Sequence, residues 1–287
     1  PQENLTRPGR TYAEGWRLGC GILLALLMYL LGTMAYLAIG SALCGSGWIA
    51  PMAGVSETTP GQVLFVLGSF ITMILAVLGA ATLHRRKLSD LLGGYRRTFR
   101  AFIQTIIALA PIVAVLIAIS LLFENLTPNV APALWVMLLP LSLVLILIQV
   151  SAEELAFRGY LQSQLAAMNL PTWVWLVVPS VLFGAVHYDP ETMGDLTWYV
   201  VIWAGVFGLC MADLTARTGT LGPAIALHFA NNLIPFLFFG YPDYIGGSAL
   251  YTLPYSVSDA GNLIVTTAYG LLTMAIMYLA IRIRLKV

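Results

Sequence analysis

Residues 134–154 read LWVMLLPLSLVLILIQVSAEE, an apolar run with no charged side chain until its last two positions, Glu153 and Glu154. That is about the length an α-helix needs to cross a hydrocarbon core roughly 30 Å thick. Comparable runs occupy about 18–43, 62–83, 101–123, 171–188, 196–216, 221–240 and 262–281. In lipid every backbone polar group must be satisfied within its own helix or in a closed barrel, and these runs are far longer than barrel strands. The expected fold is therefore all-α, a polytopic membrane helical bundle with about eight transmembrane helices. Composition agrees: 59% of the 287 residues are hydrophobic and 9% are charged, against about 25% charged in an ordinary soluble domain.

The basic residues set an orientation, because short loops rich in Lys and Arg stay on the cytoplasmic side. Arg7, Arg10 and Arg17 precede the first run. Arg85, Arg86, Lys87, Arg96, Arg97 and Arg100 fill 84–100, and Arg282, Arg284 and Lys286 close the chain. Connections 44–61, 124–133, 189–195 and 241–261 hold no Lys or Arg. Both termini are expected to be cytoplasmic, with residues 1–17 a cytoplasmic tail and 18–287 a single membrane domain. Nothing after the first run resembles a small-residue cleavage site, so it reads as a retained helix. The stretch 241–261, with Pro242, Gly246, Gly247 and Pro254, reads as an external, partly re-entrant loop.

A net charge of +1, with the basic residues scattered among loops, argues against nucleic acid as a partner. Cys20, Cys44 and Cys210 form no C-x-x-C pair, and Cys20 and Cys44 lie at opposite ends of one expected helix. All three read as small apolar packing residues. The external acidic run Asp189, Glu191 and Asp195 reads as a solvated loop in preference to a cation site.

Ionisable groups inside spanning segments are costly and mark functional sites by default. Here they cluster. Glu153, Glu154 and Arg158 follow the quoted run directly. At 3.6 residues per turn Glu154 and Arg158 share a helix face, while Glu153 points about 100° away. Glu154 is then neutralised by Arg158, and Glu153 is left to face a cavity as a base. Phe183 and His187 are four residues apart, so the phenyl ring packs on the imidazole; His228 and Asn232 repeat the spacing with two polar groups. An imidazole and an amide on one face can donate two hydrogen bonds to a single oxygen, as a tetrahedral oxyanion demands. His84, in the basic connection, reads as solvated. If the fourth helix runs on to a turn at 169–171, Glu153 and His187 both lie roughly 25 Å from that turn and meet across an antiparallel pair. His228 lies nearer its own turn at 217–219, so either the seventh helix starts deeper or the fourth breaks near Gly159.

The ordered set Glu153-Glu154-x-x-x-Arg158, Phe183-x-x-x-His187 and His228-x-x-x-Asn232, with the turn TGTLGP at 218–223, resembles the CAAX protease and bacteriocin-processing family, also called the ABI family. The core of the resemblance covers about 134–240. It implies an intramembrane endopeptidase in which Glu153 and His187 activate water. His228 and Asn232 would then form the oxyanion hole, and Glu154 and Arg158 would support the helix geometry. The implied substrate is a membrane-associated protein or peptide. The resemblance implies either a zinc-dependent or a metal-independent glutamate protease. Glu153, His187 and His228 would suffice for zinc with an open position, although the chain has no His-Glu-x-x-His segment.

Two other function classes compete. One is a non-catalytic membrane scaffold that keeps these polar groups as contacts between helices. The other is a small transporter or proton relay using Glu153, His187 and His228; no matched pair of Gly/Pro-broken helices in two repeated halves supports it. The two-sided charge pattern suits a bacterial or archaeal cytoplasmic membrane, and exposed apolar helices such as the first offer surfaces to lipid or to a membrane-protein partner.

Overall fold

The computed structural model describes residues 1–49 and 57–287, the side chains of 260–264 and 266 excepted. The middle of the expected 44–61 connection, residues 50–56, lies outside the described residues. The expected eight apolar segments all appear as helices. In chain order the helices are α1 (Gly15–Cys44), α2 (Pro60–Ser69) continued by α3 (Ile71–Thr82), the short α4 (Leu88–Leu92) within the basic connection, α5 (Tyr95–Phe123), α6 (Pro132–Glu154), α7 (Thr172–Ala185), α8 (Thr197–Thr218), α9 (Gly222–Leu233) and α10 (Ala260–Leu285). A π-helical stretch, Leu155–Gln162, carries α6 on into Ser163–Ala167.

Among the described residues six helical units are long and apolar enough to cross a membrane: Gly15–Cys44, Pro60–Thr82, Leu88–Phe123, Pro132–Ala167, Pro190–Thr218 and Thr267–Leu285. Two are shorter, Thr172–Ala185 and Gly222–Phe238, and these lead to, or contain, His187 and His228. The chain is an integral membrane protein of the all-α class.

Local chemistry sets the ends. Thr59 and Gln62 close a reciprocal cap on α2, with Pro60 at its first position, where the missing N–H costs nothing. Gly93 (φ 79°) ends α4 and Gly219 (φ 67°) ends α8 in left-handed conformations that glycine adopts without penalty.

In a bilayer, apolar contact gives helices little reason to choose each other over lipid, so close backbone approach and polar bonds decide the packing. A Cβ at Gly184 of α7 would stand 2.6 Å from Val201 O of α8, so only glycine admits this crossing. Leucines on α1, including Leu23, Leu26, Leu30 and Leu31, stay exposed on the outside of the bundle, where hydrocarbon replaces water as solvent.

The connections sort to two ends. At one, β1 (Thr127–Pro128), β2 (Phe239–Gly240) and β3 (Tyr251–Thr252) form a small sheet in the order β1-β3-β2, antiparallel then parallel. It ties two of the Lys/Arg-free connections together, and Asn129 Nδ2 adds bonds to Gly246 O and Ala249 O. At the other end, Arg86 reaches Leu5 O and Ser163 Oγ, Leu221 N donates to Leu92 O, and Thr98 and Thr220 share a hydroxyl bond of 2.6 Å. The basic tail, the basic 84–100 connection and the turn before α9 thus share one end.

Two expectations are corrected. His84 is fully buried, not solvated: Nδ1 lies 2.7 Å from Tyr12 O and Nε2 3.0 Å from Tyr160 Oη. The tail folds back over the helix ends as Glu3–Thr6 and Arg7–Tyr12 and so shields it. Cys20 and Cys44 are exposed on α1 and only Cys210 is partly packed, because α1 leans on the bundle along a narrow face. Of the two alternatives left open for the fourth and seventh helices, a break near Gly159 is not what the structure shows: the fourth helix widens there into the π-helical stretch.

Candidate active site

The site lies where the end of α6 and its π-helical extension meet α7, α8 and α9. Glu154 and Arg158 are wholly buried and paired at 2.9 Å, as their spacing predicts. Two charges in a dry interior hold only if their remaining polar atoms also find partners. Arg158 NH2 donates to Gly208 O at 3.0 Å, and one turn on Gln162 Nε2 donates to Ala212 O at 3.0 Å. A π-helical turn at a functional site is a recurrent device; here it presents both side chains to one row of carbonyls on α8. Gly208 makes the approach possible, since a Cβ there would lie 3.0 Å from Arg158 NH2 and 3.2 Å from Ser180 Cα.

His228 enters from α9 between the two glutamates. Its Nδ1 is 2.9 Å from Glu154 Oε1 and its Nε2 is 3.6 Å from Glu153 Oε2. A carboxylate only accepts, so Nδ1–H donates to Glu154 and Nε2 is the nitrogen turned toward Glu153. Phe183 and Phe207 hold the imidazole edge-on, with centroids 5.9 and 5.4 Å away. Phe183 also stacks beneath the Arg158 guanidinium at 4.5 Å and packs on His187 at 4.8 Å.

Glu153 is partly exposed. Its Oε1 accepts from Gln149 Nε2 at 2.6 Å, while Oε2, although shielded from solvent, takes no hydrogen bond from the described residues. Asn232 Nδ2 donates to Gln149 Oε1 at 2.8 Å, and Asn232 Oδ1 accepts from Asn231 Nδ2 at 3.0 Å. Gln149 therefore bridges α6 and α9, a link not among the residues singled out from the sequence. Its signal was present: an amide four residues before Glu153, on the same face of an otherwise apolar run.

His187 sits just beyond α7. Its Nδ1 lies 2.7 Å from Phe183 O, so Nε2 is the nitrogen that this bond does not occupy. No hydrogen bond or ion pair among the described residues joins His187 to Glu153 or His228; Phe183 is the wall the two rings share. Nor does any group of three or more His, Cys, Asp or Glu among the described residues stand close enough to hold a metal ion. Glu153, His187 and His228 therefore do not fit a zinc site as they are arranged. The acidic run is accounted for locally at Asp189, which caps the short helix Pro190–Met193 through Thr192 N.

Sequence comparison bears on the same segment. Residues 133–234 match a family model described as Type II CAAX prenyl endopeptidase Rce1-like. The resemblance holds. The Rce1-like segment runs from the start of α6 to the end of α9 and contains Glu153, Glu154, Arg158, Phe183, His187, His228 and Asn232. A curated relative, the uncharacterized protein YyaK of Bacillus subtilis (strain 168), is 33% identical over 115 residues, 38% of this chain. The match spans 36% of that relative's length. No solved structure matches.

Proposed function

We propose that the chain is an intramembrane endopeptidase of the CAAX-protease type that cleaves a peptide bond in a membrane-associated protein or peptide. The observation that carries the reading is the clasp around His228: two adjacent glutamates on its two nitrogens, with Glu153 Oε2 buried and without a hydrogen bond from the described residues. Its lying within the Rce1-like segment supports the assignment.

In this reading a water between Glu153 Oε2 and His187 Nε2 loses a proton to Glu153 as its oxygen attacks the scissile carbonyl carbon. The carbonyl electron pair moves onto oxygen, where a protonated His228 donates from Nε2 while Nδ1–H stays on Glu154. Asn232 donates its second Nδ2–H, the first being held by Gln149. Collapse of the tetrahedral intermediate breaks the C–N bond, and Glu153 returns the proton to the leaving nitrogen. Arg158 pairs with Glu154 in its dry position, and Phe183 holds both imidazoles in register. No metal step is assigned, because the three candidate ligands are not grouped. The basic end of the bundle is assigned to the cytoplasm of a bacterial or archaeal cell.

The test is comparison of membrane peptides from cells carrying wild type, Glu153→Ala or His228→Ala at equal levels of inserted protein. A new terminus seen only with wild type identifies the substrate and the bond. Matching profiles, where loss of the whole chain has an effect, reject proteolysis in favour of a scaffold role.

A further inference from the structure

Three side-chain amides and one carboxylate form a hydrogen-bonded chain that runs in a single direction. Asn231 Nδ2 donates to Asn232 Oδ1, Asn232 Nδ2 to Gln149 Oε1, and Gln149 Nε2 to Glu153 Oε1, at 3.0, 2.8 and 2.6 Å. Gln149 is 6% exposed and is the link that crosses from α9 to α6.

We infer that Gln149 is a positioning residue through which the Glu153 carboxylate sets the orientation of the Asn232 amide; this rests on the protease reading above. An ionised carboxylate has only lone pairs to offer. While Glu153 is ionised, Gln149 must turn its NH2 toward it, because its oxygen there would meet like charge. Gln149 Oε1 then faces α9 and can only accept, so Asn232 turns its own NH2 toward it and keeps its second N–H for another acceptor. Asn231 closes the chain by occupying Asn232 Oδ1. The order is imposed from the carboxylate outward through Glu153 Oε1, which still only accepts when the proton taken from water sits on Oε2. The oxyanion donor is thus aligned by the same carboxylate that takes the proton. No group other than Gln149 among the described residues connects Glu153 to Asn232 by hydrogen bonds, so removing its amide leaves both in place and uncouples them.

The test pairs kinetics with infrared spectroscopy on the purified full chain in lipid nanodiscs. Gln149→Met keeps the size of the side chain and removes both bonds; Gln149→Glu keeps the acceptor for Asn232 and loses the donor to Glu153, and serves if the first variant folds poorly. With a cleaved substrate in hand, Gln149→Met is expected to lower kcat about 10²-fold with little change in KM, the size of effect a misaligned catalytic group produces. Adding Asn232→Ala to it then costs less than about twofold more, since both act through one donor. Multiplying losses, or an unchanged kcat, overturn the proposal.

The infrared arm needs no substrate. The Glu153 carboxylate band is the one that Glu153→Gln removes. It is expected to shift in Gln149→Met and also in Asn232→Ala, but Asn232→Ala leaves it unmoved when residue 149 is already Met. A band indifferent to Asn232→Ala overturns the relay and leaves the protease reading intact. A band that behaves as expected in a chain that cleaves nothing sustains the relay and counts against proteolysis.

Discussion

His228 Nδ1 lies 2.9 Å from Glu154 Oε1, the same carboxylate oxygen that accepts from Arg158 NH1 at 2.9 Å. One oxygen therefore both closes the buried ion pair of the α6 extension and sets the ring of the α9 histidine. The stability of the helix pair and the orientation of a candidate catalytic group share a single atom.

That sharing can be separated by mutation. Glu154→Leu alone strands a fully buried guanidinium and is expected to destabilise the protein by about 3–5 kcal/mol. Adding Arg158→Met replaces the pair with apolar groups of similar size and is expected to recover most of that loss, as buried pairs exchanged for packed hydrophobics often do. Activity should not recover, because Nδ1 of His228 then has no acceptor. Thermal unfolding in detergent and peptide cleavage, measured on both variants, check the two halves independently. Full activity in the double variant would remove Glu154 from any role in orienting His228.

The α7–α8 crossing offers a steric test. Gly184→Ala places a methyl group 2.6 Å from Val201 O and 3.1 Å from Gly205 N, both backbone atoms without rotamers to yield. Overpacking of this kind costs about 1–3 kcal/mol. Because α7 carries Phe183 and leads to His187, the helix separation should also lower cleavage by about tenfold or more, in line with the sensitivity of catalysis to small displacements. Gly19→Ala, with nothing within 4 Å of its added Cβ, is the matched control and should leave both measurements unchanged.

The docked tail should respond to pH. Burial pushes the His84 imidazole below its ordinary value of 6.5, and Arg86 and Arg17 push the same way, against the opposing pull of Tyr12 O and Glu14. Burial brings the Arg86 guanidinium down to about 10, so it remains charged throughout. With the tail docked, His84 stays neutral; undocked, it takes up a proton once the pH falls below about 6.5. Docking is therefore fully favoured above that pH and weakens as the pH drops toward the lowered value, by up to about tenfold per unit in the window between them. Limited proteolysis of residues 1–12 at pH 7.5 and 5 measures this. His84→Gln donates to Tyr12 O and accepts from Tyr160 without titrating, so its cleavage should be flat across the same range.

The sequence by itself determined the class of fold and the position of each apolar helix to within a few residues, except that the basic 84–100 connection is itself largely helical. Hydropathy and backbone satisfaction in lipid are local properties, readable along one run at a time. The Glu154–Arg158 pair and the Phe183–His187 stack were legible for the same reason, since each is a four-residue relationship within one helix or at its end. Tertiary structure alone decided that Glu154 also takes His228, that Gln149 joins Glu153 to Asn232, and that the basic tail folds back to bury His84. These contacts bridge 74, 83 and 72 positions of chain. They depend on how α9 packs against α6 and on where the tail docks, and neither arrangement has a period along the sequence.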